Sequence, residues 1–127
     1  ELGVEADAEA LILLGERRLV DDSGEGTLNK ELTSVFLLRD DRPLTEYVLQ
    51  SAEVDAVFDA SIEELLRLFD GSIKKLELSG VANAGSPQAK PITVQVALED
   101  FVPGSSYWVN LFVMSERFIN GQSPLAI

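Results

Sequence analysis

The stretch Ser61-Ile62-Glu63-Glu64-Leu65-Leu66-Arg67-Leu68-Phe69-Asp70-Gly71 decides how the rest of the chain is read. It opens as Ser-x-x-Glu, in which the Ser61 hydroxyl accepts from the Glu64 amide and Glu64 reaches back. Asp59 just before it, with Glu63 and Glu64 in the first turn, complements the positive end of a helix. Ile62, Leu65, Leu66 and Phe69 recur at helical spacing and make one apolar stripe. Gly71 supplies the residue that closes a helix in the left-handed conformation. One short helix over about 61–70 is therefore expected.

Strands are expected on either side of it. Residues 75–81 alternate, with Leu76 and Leu78 on one face, and residues 82–91 form a polar, small-residue loop. Residues 92–99 alternate cleanly, which would bury Ile92, Val94, Val96 and Leu98. After the turn Pro103-Gly104-Ser105-Ser106, residues 107–114 are apolar on nearly both faces, the pattern of a strand covered on each side. Read so, Trp108, Phe112 and Met114 share one face, and Tyr107, Val109, Leu111 and Val113 the other. These three strands predict an antiparallel meander, and Asn120-Gly121 predicts a turn near the end.

Towards the N-terminus, Val54, Ala56 and Phe58 alternate as a strand leading into the helix. Residues 33–38 and 44–50 read as a hairpin closed by Asp40-Asp41-Arg42-Pro43. Residues 6–19 carry two opposed signals. Ala, Glu and Leu favour helix, whereas Gly15 interrupts it and Leu11 to Leu14 suit a buried strand, the reading preferred here. The sum is an α+β fold, mainly antiparallel sheet or a (split) barrel, with one short helix. A single domain over 1–127 is expected, with flexible ends at 1–8 and 120–127.

Composition removes more functions than it suggests. The chain has 127 residues, 22 acids against 10 bases, a formal charge of -12, no His and no Cys. Phosphate binding needs Lys and Arg, so nucleic acid is not expected as a partner. Without His or Cys there is no triad or dyad built on them, no thiolate, and no ordinary zinc or haem site; no cofactor is expected. The longest apolar run, Ala10 to Leu14, is far short of the ~20 residues that cross a bilayer, and no membrane partner is expected. The chain opens on Glu1 rather than Met, as a trimmed or mature form would, so its compartment stays open.

The motifs are mostly negative. Asp21-Asp22-Ser23-Gly24-Glu25-Gly26 begins like a calcium loop, but Leu32 stands where the bidentate Glu belongs, so an acidic hairpin loop is the reading. No phosphate-binding glycine loop and no Gly-x-Ser-x-Gly elbow is present. Carboxylates such as Asp55 and Asp59 lie next to apolar residues and keep a carboxylate enzyme as a minor alternative. Arg67, Lys74, Lys75 and Lys90 complement a helix C-terminus or blunt a strand edge more simply than they bind phosphate.

Two features point outward. The first 60 residues carry -10 of the charge, which marks Asp7, Glu9, Asp21 and Asp22 as candidate partner-facing acids. Trp108 and Phe112 are of the residue types enriched at interfaces. The expected function is a non-catalytic structural or interaction module that binds protein partners, itself included, within an assembly such as a virion, tail-like or secretion-type machine by analogy. The alternative is an acidic inhibitor or immunity-type protein that covers a basic site on a nuclease or nucleic-acid-binding partner. A carrier of a small apolar ligand inside a barrel is a further class to test.

Overall fold

The computed structural model describes residues 1–22 and 28–127, and of residues 19–22 and 28–31 the backbone alone. Elements run β1 (Ile12–Asp22), β2 (Leu28–Leu37), β3 (Ala56–Asp59), α1 (Ile62–Asp70), β4 (Leu76–Ala82), β5 (Lys90–Val96) and α2 (Ser105–Ile119). The fold is α+β, as expected. Among the described residues the strands make one antiparallel sheet of two and another of three, and not a closed barrel, which corrects that part of the expectation. The chain divides into two compact units, one of residues 1–6 and 40–105, the other of residues 7–39 and 106–127.

In the first unit the helix forms as its sequence dictates. Ser61 caps α1, its Oγ accepting from the Glu64 amide at 3.3 Å, and Gly71 closes it at φ 86°. Leu65 and Leu68 are buried, Leu68 most completely, at 1% exposure. The sheet order is β3-β4-β5, with Phe58 opposite Gly80 and Leu76 opposite Val96. Gly80 is obligatory for packing: a Cβ there would overlap the Val57 carbonyl oxygen and the Phe58 ring. Ile92, Val94 and Val96 are half-buried on β5, but Leu98 is not on the strand. It opens a 3-10 turn at Leu98–Asp100 and is exposed, a correction to the expected alternation.

The expected hairpin of 33–38 with 44–50 does not form. Residues 33–37 pair with β1 instead, and Leu44–Glu46 is a 3-10 turn. Asp40 folds the intervening turn on itself, accepting from the Arg42 amide at 3.1 Å and from Arg42 Nε at 2.8 Å. The amides of residues 48–50 go elsewhere: Val48 to the Leu2 carbonyl, Leu49 to Ala84 and Gln50 to Glu1. Both ends of the chain carry backbone hydrogen bonds, since Ile127 likewise donates to the Leu14 carbonyl at 2.9 Å.

In the second unit β1 and β2 form a long antiparallel ribbon, and the strand reading of Leu11 to Leu14 holds from Ile12 onward. The register shifts between Leu13 and Gly15, so Leu14 is the extra residue of a bulge and is buried. Gly15, at φ 148°, sits against Ile127.

The largest correction is α2. Residues 107–114 are helix, not strand. Trp108, Leu111, Phe112, Ser115 and Phe118 fall on one helical face, a period masked by the aromatic and β-branched side chains between them. Met114, three residues after Leu111 and four before Phe118, lies at the edge of that face and is half-buried. Asn120-Gly121 is a turn near the end, as expected, and it closes this helix. Gly121, at φ 68°, donates to the Phe118 carbonyl at 3.1 Å and Gln122 to Arg117 at 2.8 Å. That hydrogen-bond pair is a Schellman closure.

Candidate functional site

All six candidate partner-facing residues, Asp7, Glu9, Asp21, Asp22, Trp108 and Phe112, belong to the second unit. Asp7 and Glu9 are exposed at the 3-10 turn Ala8–Ala10. Asp21 and Asp22 end β1, but their side chains and the rest of the acidic loop lie outside the described residues. Trp108 and Phe112 are brought together, stacked with ring centroids 6.0 Å apart and planes 28° from parallel. Tyr107 meets Trp108 edge-on at 5.2 Å. Phe112 is 8% exposed and Trp108 half-buried, so these aromatics serve packing first.

Their packing partner is the ribbon. The Arg17 guanidinium lies 4.0 Å from the Tyr107 ring centroid and 5.7 Å from that of Trp108. A cation over an aromatic face is held by the ring's negative quadrupole, typically by ~0.5–2 kcal/mol. Arg17, Leu14, Val35 and Leu37 are all at least half-buried, which defines the inner face of the ribbon. Arg117 Nε, on α2, is buried with no hydrogen-bond partner among the described residues.

The outer face is what sequence reasoning missed. Leu13 lies opposite Phe36, Glu16 opposite Ser34 and Arg18 opposite Leu32, and opposed residues share a face. All six are exposed. Leu13 shows 56% of its surface, Leu32 63% and Phe36 48%. The face is therefore apolar at each end, with Glu16 and Ser34 between. Finding it needs the register, and the register needs the partner strand, which the sequence assigned to residues 44–50. The available signal was the apolar alternation of Leu32, Ser34 and Phe36 against Thr33, Val35 and Leu37, which leaves neither face of β2 wholly polar.

Charge is distributed differently from the first-half reading. The first unit holds 14 acids and 5 bases, the second 8 acids and 5 bases. Among the described residues, the groups with shifted titration lie in the first unit. Asp40 is held below its ordinary value by its hydrogen bond to the Arg42 side chain. Asp70 is lowered by the hydrogen bonds from Ser72, whose amide lies 2.7 Å from Oδ1. Glu53 is raised by the neighbouring Glu1 carboxyl. Asp55 and Asp59 are exposed. Among the described residues no three acids gather into a metal-sized cluster, and no helix is long and apolar enough to cross a membrane. No protein-family model, curated protein or solved structure matches this chain.

Proposed function

We propose that this chain is a non-catalytic interaction module, a subunit of a homo- or hetero-oligomeric assembly, and that the outer face of the β1–β2 ribbon is its docking surface. The single observation that supports this reading is the exposure of Leu13, Phe36 and Leu32 on one face of the ribbon. A lone exposed leucine is ordinary, but three large apolar side chains on one face mark an interaction site more often than chance scatter. Burying a Leu or Phe completely contributes ~1.5–3 kcal/mol, so covering these half-exposed groups supplies roughly 2–4 kcal/mol to an association. The inner face is engaged at Arg17, which lies over the Tyr107 and Trp108 rings of α2.

The test compares the wild-type chain with L13T/F36T as immobilised baits. Threonine keeps the strand preference and still pairs across the ribbon while it removes the apolar surface. The reading expects a named partner, or the chain itself, to be retained by wild type and lost from the folded double variant. Identical retention by both would contradict it.

A second reading, the acidic inhibitor, has the charge of the first unit in its favour, 14 acids against 5 bases. It expects a basic partner whose association rate falls steeply with salt. Salt-independent binding to a basic protein would remove it.

A further inference from the structure

We infer that this chain pairs with a second copy of itself edge to edge through β5, so that two three-stranded sheets join into one of six. The inference goes beyond the docking reading above and does not rest on it. β5 is one edge of the sheet β3-β4-β5, seven residues long against the four of the other edge, β3. An edge strand offers unpaired N–H and C=O groups, which proteins commonly blunt with charge or cover. From Pro91 to Val96 this strand carries no charged residue, in a chain of net charge -12.

The register fixes which groups are open. The Asn83 amide donates to the Asp55 carbonyl at 2.8 Å, one step beyond the β3–β4 pairs and in the same register. Backbone groups of alternate residues point to opposite neighbours, so Val81 and Ser79 also point to β3. Leu76, Leu78, Gly80 and Ala82 then point to β5, where they engage Val96, Val94, Ile92 and Lys90. Pro91, Thr93 and Gln95 are left pointing outward. Pro91 agrees with this, because a proline in a sheet sits with its missing N–H on the open side. No described residue hydrogen-bonds to the outward groups of Thr93 or Gln95. The open stretch is bounded at both ends. Pro91 has no N–H to give, and Ala97 is already used: its amide donates to Asp100 Oδ2 at 2.8 Å and its carbonyl accepts from the Asp100 amide at 3.0 Å.

This stretch matches itself about a two-fold axis, where a patch meets its own reverse. With two β5 strands antiparallel and Val94 of one opposite Val94 of the other, Thr93 of each copy lies opposite Gln95 of its mate. Both pairs exchange N–H and C=O bonds, which uses the open donors of Thr93 and Gln95 in each copy. Pro91 then faces Ala97, so the residue without an N–H meets a carbonyl that already has its donor. A strand of another protein has to bring a donor-free residue to that place, and a second copy brings one. The side chains agree. Ile92 falls opposite Val96 and Val94 opposite Val94 on the half-buried apolar face, with Thr93 opposite Gln95 on the exposed one. The contact is one strand wide, so its area falls below the ~1,200 Å² of standard interfaces and the dimer is weak, with Kd on the order of 0.1 mM.

Sedimentation equilibrium of the wild type should give close to the monomer mass of 13.8 kDa at about 10 µM and rise toward twice that by about 1 mM. Thr93→Pro removes an outward N–H and none that β4 uses, so this variant should stay at monomer mass across that range. Cysteine variants read the register without depending on how T93P folds. The chain has no cysteine, so V94C and T93C each carry a single thiol. Under mild oxidation V94C should cross-link about tenfold faster than T93C, because position 94 faces its own copy and position 93 lies beyond disulfide reach of itself. Thr93 is the more exposed of the two, so random collision gives the opposite order. A monomeric wild type, a folded T93P that still dimerises, or T93C that cross-links as fast as V94C would each overturn the edge-to-edge inference. An association lost in L13T/F36T and kept in T93P overturns it while the docking reading stands. One lost in T93P and kept in L13T/F36T upholds it and contradicts the docking reading.

Discussion

The two units use their apolar residues in opposite ways. In the first, α1 and a three-stranded sheet form beside one another, and the exposed large apolar groups, Leu2, Val48, Leu98 and Val102, sit one by one off the regular elements. In the second, a two-stranded ribbon of 11 and 10 residues sets Arg17 of one face against Tyr107 and Trp108 of α2 and leaves Leu13, Leu32 and Phe36 exposed on the other. A two-stranded ribbon is marginal alone and needs a layer against it. On the inner face Arg17 meets Tyr107 and Trp108 of α2. Apolar exposure carries functional information when register gathers it onto one face, as it does here for the ribbon and not for the loops of the first unit.

The sharpest way to break the contrast is to empty each unit's interior. Phe112→Ala should cost ~3–5 kcal/mol and Leu68→Ala ~2–5 kcal/mol, read by urea denaturation, because both leave cavities in packed interiors. If Phe112→Ala costs under ~1 kcal/mol, α2 is not the layer that supports the ribbon.

Glycines separate packing from conformation within the first unit. Gly80→Ala should cost ~1–3 kcal/mol, because its Cβ meets the Val57 carbonyl and the Phe58 ring. Gly71→Ala meets nothing within 4 Å and pays only for φ 86°, about 1 kcal/mol. Equal midpoint shifts for the two would show that Phe58 does not lie over Gly80.

The smallest effect is electrostatic and confined to the first unit. Asp40 and Asp70 titrate below their ordinary value in the folded chain, so their contribution is present above about pH 4 and lost as pH falls toward the folded value. Glu53, raised by Glu1, works in the opposite direction and is relieved by acid. Asp40→Asn should therefore reduce the loss of stability between about pH 4 and pH 2, measured by denaturation at stepped pH. An unchanged slope would mean that the Arg42 contact does not persist in solution.

Local signals were legible and partner choice was not. The capped helix, the strand before it and the two after it follow from short-range chemistry at Ser61, Gly71, Leu76 and Ile92, and the structure has all of them. The partner of residues 33–37 is a long-range choice, and Asp40 to Pro43 offered a local turn that competed with it. α2 was misread because Tyr107, Trp108, Val109 and Val113 have strand preferences that the helical period of its other apolar residues overrides. The outer face was invisible for the same reason. Leu13, Glu16 and Arg18 gain meaning only once β2 is known to lie beside them.

The most direct measurement is the unfolding free energy of L13T/F36T against wild type, by urea at low chain concentration. If the outer face is a docking surface and not part of a core, the two values agree within ~1 kcal/mol, because half-exposed side chains replaced by a good strand former change stability little. A loss of ~3 kcal/mol or more would place Leu13 and Phe36 in a packed interior and contradict the proposed role of the ribbon.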